Sequence, residues 1–197
     1  SPFSSGGRKM RIITGTARGT KLFTLEGEAT RPTSERAKEA VFSMIQFEIE
    51  GRRVLDLYAG SGQLGLEALS RGASFCMFVD SNPEAIAVIR KNAEKTKLSD
   101  RCRTLISDAA NYVRKGAGGE KYQIVFMDPP YASGLVIPTL ERLISADIVS
   151  PGGLVFCETD QENLFDGRED IFRTFTLRRD GSYGKIKMYL LEKKAEE

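Results

Sequence analysis

Residues 51–194 are predicted to form an α/β domain with a mostly parallel sheet, and three features of the chain support this. Apolar runs such as "RRVLDL", "SFCMFV", "YQIVFM" and "GGLVFC" are continuous rather than alternating, which is the pattern of strands covered on both faces. Helix-spaced stretches separate these runs, often after a glycine-containing turn. Finally, Asp56, Asp80, Asp108 and Asp128 each stand at or beside the end of a predicted strand. In open α/β sheets the ligand crevice lies beyond the carboxyl ends of the strands, so these four acids are expected to line one site.

The opening "SPFSSGG" resembles an expression scar, and residues 1–9 are set aside as a tag or disordered tail. Residues 10–50 read as an extension. "MRIIT" and "KLFT" are β-favouring runs around "GTARG", the pattern of a hairpin, and "RPTSERAKEAVFSMI" is helical with Thr33 or Ser34 as its cap. The apolar spacing Ala37, Ala40, Val41, Met44, Ile45 gives that helix one buried face. "RRVLDLYAG" then opens the main domain as a strand, and "LGLEALSRG" follows as a helix that Gly72 stops. "SFCMFVD" is a strand, and "NPEAIAVIRKNAEKTK" is a helix with Pro83 in its first turn. "CRTLISD" and "YQIVFMD" are strands around the short helix "AANYVRKG"; "SGLVIPTLERLISAD" is a helix that Pro138 starts or kinks, and "GGLVFCETD" is a further strand. The tail "IFRTFTLRRDGSYGKIKMYLLEK" reads as two β runs around Asp180-Gly181, closing the sheet edge as an antiparallel pair.

Composition narrows the chemistry. The chain has no histidine, which excludes Ser-His-Asp and Cys-His nucleophile systems and any His-ligated metal. Its three scattered cysteines, Cys76, Cys102 and Cys157, argue against structural zinc and for reduced thiols in a cytosolic compartment. No apolar stretch approaches the roughly 20 residues of a membrane span. The net charge is only +2, yet Arg8, Lys9, Arg11, Arg18 and Lys21 precede the first acid. Such a stretch is either a solvated arm or a surface for nucleic-acid phosphates.

The glycine turn "LDLYAGSGQLG" lets a ligand approach the backbone at Gly60 and Gly62 where a helix begins. With Gly65 it also meets the GxGxxG spacing, so a nicotinamide dinucleotide competes if this turn is read alone. Asp80 suits a ribose diol in either case. Asp108 can accept from an adenine amino group or simply cap "AANYVRKG".

"VFMDPPYA" separates the readings. A hydride-transfer site has no use for Asp-Pro-Pro-Tyr at a strand end, whereas methyl transfer to a planar amine does. The lone pair of such a nitrogen is delocalised into the ring. Asp128 can accept one of its N–H bonds and the Pro129 carbonyl the other, while Pro129 and Pro130 fix φ and remove competing donors. Paired acceptors draw the nitrogen toward a tetrahedral form and aim its lone pair at a sulfonium methyl. Tyr131 offers a stacking face worth about 1–3 kcal/mol.

Together these stretches resemble a class I S-adenosylmethionine-dependent methyltransferase, and more narrowly the RsmD type, which methylates a guanine N2 in bacterial 16S ribosomal RNA. The resemblance runs from Met10 to about Lys193 through "MRIITGTARGTKL", "TRPTSERAKEAVFSMI", "VLDLYAGSGQLGLEALSRGA", "FVDSNPEAI" and "VFMDPPYA". It implies a Rossmann-like, seven-stranded, mostly parallel sheet with one antiparallel strand, helices on both faces and a small N-terminal hairpin and helix extension. It implies S-adenosylmethionine as cofactor, S-adenosylhomocysteine as product and no metal. Asp56, Gly60 and Gly62 would hold the methionine part, with Tyr58 beside them. Asp80 would hold the ribose, Asp108 and Ala109 the adenine, and Asp128 to Tyr131 the target base, with Ser81 and Asp128 also among the cofactor-binding residues. Arg31, Pro32 and Thr33 match the stretch that closes over the site, and Arg11, Arg18, Lys21 and Arg36 would meet RNA. The implied enzyme is a cytoplasmic monomer acting on 16S rRNA within a 30S subunit or an assembly intermediate. An adenine-N6 methyltransferase and a non-catalytic RNA-binding assembly factor are the alternatives.

Overall fold

The computed structural model describes residues 10–25 and 34–195. Arg31, Pro32 and Thr33 lie outside them, as do residues 1–9. After helix α1 (Ser34–Ile45) the chain alternates β1 (Arg53–Leu57), α2 (Gln63–Ser70), β2 (Phe75–Asp80), α3 (Pro83–Lys95), β3 (Cys102–Ile106), α4 (Ala109–Arg114), β4 (Tyr122–Met127), α5 (Val136–Ala146) and β5 (Val149–Thr159). Strands β6 (Phe175–Tyr183) and β7 (Ile186–Lys193) follow. The elements predicted for the main domain are all present, joined in places by short 3-10 turns.

The seven strands lie in the order β3-β2-β1-β4-β5-β7-β6. Strands β1 to β5 pair in parallel, and β7 runs antiparallel to both β5 and β6. The tail is therefore a hairpin whose second strand enters the sheet beside β5. Its turn is not at Asp180-Gly181. These residues pair with Tyr189 and Met188 inside the ladder, and the turn falls at Gly184-Lys185, between Tyr183 and Ile186. Gly184 has a φ of 59°, which a tight hairpin turn demands and glycine supplies without strain.

Register sets what each face carries. Side chains alternate along a strand, so residues aligned across the sheet share a face. Phe78, Phe126 and Phe156 pack on the side of α1, α2 and α3, whereas Leu55, Val125, Val155 and Cys157 face α4 and α5. Both faces are thus buried, as continuous apolar strands require.

The N-terminal segment is docked rather than solvated. Arg11 and Lys21 form one antiparallel bridge, closed by hydrogen bonds from Ile12 N to Thr20 O (2.9 Å) and Leu22 N to Met10 O (2.8 Å). Ile12, Ala17 and Leu22 are buried in the core. Polar anchors fix the rest. The Glu67 carboxylate accepts from the amides of Ile13 (2.8 Å) and Thr14 (3.1 Å), and Ser70 Oγ accepts from Ala17 N at 3.0 Å. The Asn92 side chain exchanges two hydrogen bonds with the Phe23 backbone, at 2.8 and 2.9 Å, and donates to Ser61 O at 3.0 Å. One amide thereby ties the segment to the glycine turn between β1 and α2.

Candidate active site at the carboxyl ends of the strands

A cleft of about 260 Å³ opens at the carboxyl ends of β1, β2 and β4. Asp56, Tyr58, Gly60, Asp80, Ser81, Asp108, Ala109, Asp128 and Pro130 all line it, so the strand-end acids do converge. The register explains why. Asp56 pairs with Phe78 and with Phe126, and Phe126 with Phe156. Asp80, Asp128 and Glu158 lie two residues beyond those phenylalanines, hence on the same face.

Asp56, Asp80 and Asp108 also hold local structure. Asp56 is buried, and its Oδ2 accepts from Gly65 N at 3.0 Å, fastening the first turn of α2 to β1. Asp80 accepts from Gly60 N at 2.9 Å and from Asn82 N at 2.8 Å, which draws the glycine turn against β2. Asp108 caps α4 through Asn111 N at 3.0 Å and also lines the cleft. Tyr58, in a left-handed conformation, bonds Thr139 Oγ1 at 2.8 Å, and burial raises its phenol above the ordinary range.

Packing also calls for glycine at positions 62 and 65. A Cβ on Gly62 would lie 3.1 Å from Ile89 Cγ1, and one on Gly65 would lie 2.4 Å from Phe78 Cε1. The GxGxxG spacing here lets α2 seat on the sheet.

Asp128 directly follows β4, and Pro129 to Tyr131 turn away from it into a second, adjoining cleft of about 300 Å³. Pro130 and Glu158 line both clefts. The Tyr131 hydroxyl donates to Glu158 Oε1 at 2.8 Å, and Ala132 N donates to Asp160 Oδ1 at 3.2 Å. The end of β5 therefore fixes the Asp-Pro-Pro-Tyr turn. Gln63, Lys38 and Glu158 also line the acid-lined cleft, although the sequence pattern gives them no role. Only strand pairing could reveal Glu158, because its partner Tyr131 stands far from it in the chain.

Arg11, Arg18, Lys21 and Arg36 are exposed, and Arg11 Nε lies 3.7 Å from Glu35 Oε1. Met10 and Leu25, at the two ends of the docked segment, line the cleft, so Arg11, Arg18 and Lys21 stand on the segment that borders its mouth. Among the described residues no group of three or more His, Cys, Asp or Glu side chains could hold a metal ion. None of their helices is long and apolar enough to cross a membrane.

The sheet order with its single reversed strand, and the acid-lined cleft at its carboxyl edge, define a class I methyltransferase fold. The chain belongs to the family described as Conserved hypothetical protein 95, whose profile matches residues 10–192. It is 31% identical over 195 residues to "Ribosomal RNA small subunit methyltransferase D" of Escherichia coli K12, covering 99% of this chain and 96% of that protein. It is 36% identical over 154 residues to "Putative rRNA methyltransferase YlbH" of Bacillus subtilis, covering 78% and 84% of the two chains. Among solved structures, "Putative methyltransferase yhhF from Escherichia coli" superposes with a TM-score of 0.84 at 30% identity, over 96% of this chain and 100% of that one.

Proposed function

We propose that this protein transfers a methyl group from S-adenosylmethionine to the exocyclic N2 of a guanine in 16S ribosomal RNA. It does so as a cytoplasmic monomer acting on a small-subunit particle. The carrying observation is the position of Asp128-Pro129-Pro130-Tyr131, where the acid-lined cleft joins the cleft under Tyr131. The names of the relatives support ribosomal RNA as the substrate.

The residues present suit the cofactor. Asp80 accepts the ribose hydroxyls, its carboxylate already oriented by the Gly60 and Asn82 amides. Asp108 and Ala109 border the adenine, with Val79 as an apolar wall, and the Gly60 turn and Asp56 hold the methionine end. When bound, S-adenosylmethionine supplies an activated, electrophilic methyl group, so what the protein adds is mainly orientation.

Asp128 and the Pro129 carbonyl accept the two N–H bonds of the amine, and Tyr131 stacks the base with its hydroxyl held by Glu158. A guanine amino group within a helix is shielded, so the target base is unpaired or flipped out. Arg11, Arg18, Lys21 and Arg36 grip the flanking phosphates. The test is incubation of purified protein with labelled S-adenosylmethionine and small-subunit RNA or particles, followed by nucleoside mass spectrometry. N2-methylguanosine is expected. N6-methyladenosine, or no methylated nucleoside on any particle, would overturn the reading.

A further inference from the structure

Strands β4 and β5 pair in parallel, and their last aligned pair is Met127 with Cys157. Asp128 and Glu158 are the next residues on the two strands. They therefore stand side by side at one level, on backbones about 4.8 Å apart, and project from the same face. Both line the cofactor-side cleft, and Glu158 also lines the cleft that holds Tyr131. Glu158 is only 6% exposed, and its Oε1 receives the Tyr131 hydroxyl at 2.8 Å.

Two carboxylates at one level offer a base edge a row of acceptors. That row selects between purine edges. Guanine presents its 2-amino group next to an N1–H, so its donors are contiguous. Adenine presents its 6-amino group next to N1, a bare acceptor. We infer that Glu158 is a specificity-determining residue that accepts the N1–H of the target guanine while Asp128 accepts from the 2-amino group, an assignment that rests on the guanine-N2 reading above. An adenine in the same pose turns the N1 lone pair toward a carboxylate, leaving two acceptors facing each other. Such a mismatch in a buried site reduces reaction by about 10-fold to 100-fold. Tyr131 then serves twice. It stacks the base and, through its hydroxyl, holds the acceptor that reads the edge.

The decisive substrate analogue is 2-aminopurine, which keeps the 2-amino group but has an unprotonated N1. Small-subunit RNA carrying guanine or 2-aminopurine at the mapped target is assayed with the wild-type protein and with Glu158→Gln. The glutamine retains a carbonyl oxygen for Tyr131 and adds an NH₂ donor that suits the 2-aminopurine N1. Wild type is expected to favour guanine by at least about 10-fold, and Glu158→Gln to shrink that preference by at least about 10-fold. The 6-oxo group that 2-aminopurine also lacks cancels in the comparison between proteins. If Glu158→Gln slows both RNAs equally, Glu158 only anchors Tyr131 and the inference falls. Equal wild-type rates on the two RNAs overturn it without any variant. In both cases N2-methylguanosine still forms, whereas failure of the parent reading shows as its complete absence.

Discussion

Lys38 Nζ lies 3.1 Å from Glu67 Oε1, and both side chains are sealed from solvent. Lys38 also donates to Arg11 O at 2.9 Å, while Glu67 accepts from Ile13 N, Thr14 N and Arg71 Nε. Burial lowers the Lys38 pKa, and the attraction of Glu67 works against that shift. The pair therefore fastens the cation-bearing N-terminal segment to α1 and α2 beneath it. Replacing Glu67 with alanine would leave the buried Lys38 ammonium without its counter-charge and two backbone donors without their acceptor. Glu67→Ala is expected to lower stability by about 3–5 kcal/mol, measured by chemical denaturation.

Gly15 tests the same docking by shape. Its φ is 94°, and a Cβ there would sit 1.8 Å from the Ser70 carbonyl oxygen. Gly15→Ala combines backbone strain with a clash against main chain, which cannot rotate away. It is expected to cost at least about 1–3 kcal/mol and to speed amide exchange across residues 10–25 ahead of the sheet.

Asp128→Ala separates chemistry from cofactor binding. The substitution removes the proposed acceptor for the amine, while Asp80, Asp108 and the glycine turn remain. Turnover should fall by at least about 100-fold, the scale of losing one preorganised transition-state hydrogen bond. Titration calorimetry with S-adenosylmethionine should show little change in affinity. A near-normal rate would remove Asp128 from the mechanism.

Arg18 and Lys21 are exposed on the docked segment and are expected to meet phosphates. Reversing both to glutamate should weaken RNA binding and lower the slope of log affinity against log salt by about 2, one for each phosphate no longer neutralised. An unchanged slope would place the RNA elsewhere.

Much of the site is legible in the sequence because strand periodicity and strand-end chemistry are local. Continuous apolar runs ending in Asp56, Asp80, Asp108 and Asp128 imply one edge of a parallel sheet, and these acids do share a cleft. The glycine spacing is less transparent. Gly60 borders the cleft, whereas Gly62 and Gly65 make room for Ile89 and Phe78. Both uses select glycine by the absence of a Cβ, so the pattern cannot distinguish a ligand from a packed side chain. The tail reads as a hairpin in the sequence and is one, but its turn lies beyond Asp180-Gly181 at Gly184, because pairing with β7 continues through the earlier dipeptide.

By itself, the sequence determined the α/β alternation, the absence of histidine chemistry and the Asp-Pro-Pro-Tyr turn after a buried strand. These depend on residue type and short-range order. Only the tertiary structure decided that the basic segment is riveted down by Glu67 and Asn92, and that Glu158 stands beside Asp128 while holding Tyr131. Those relationships join residues far apart in the chain. They arise from strand register and from buried polar groups finding partners, which no local pattern records.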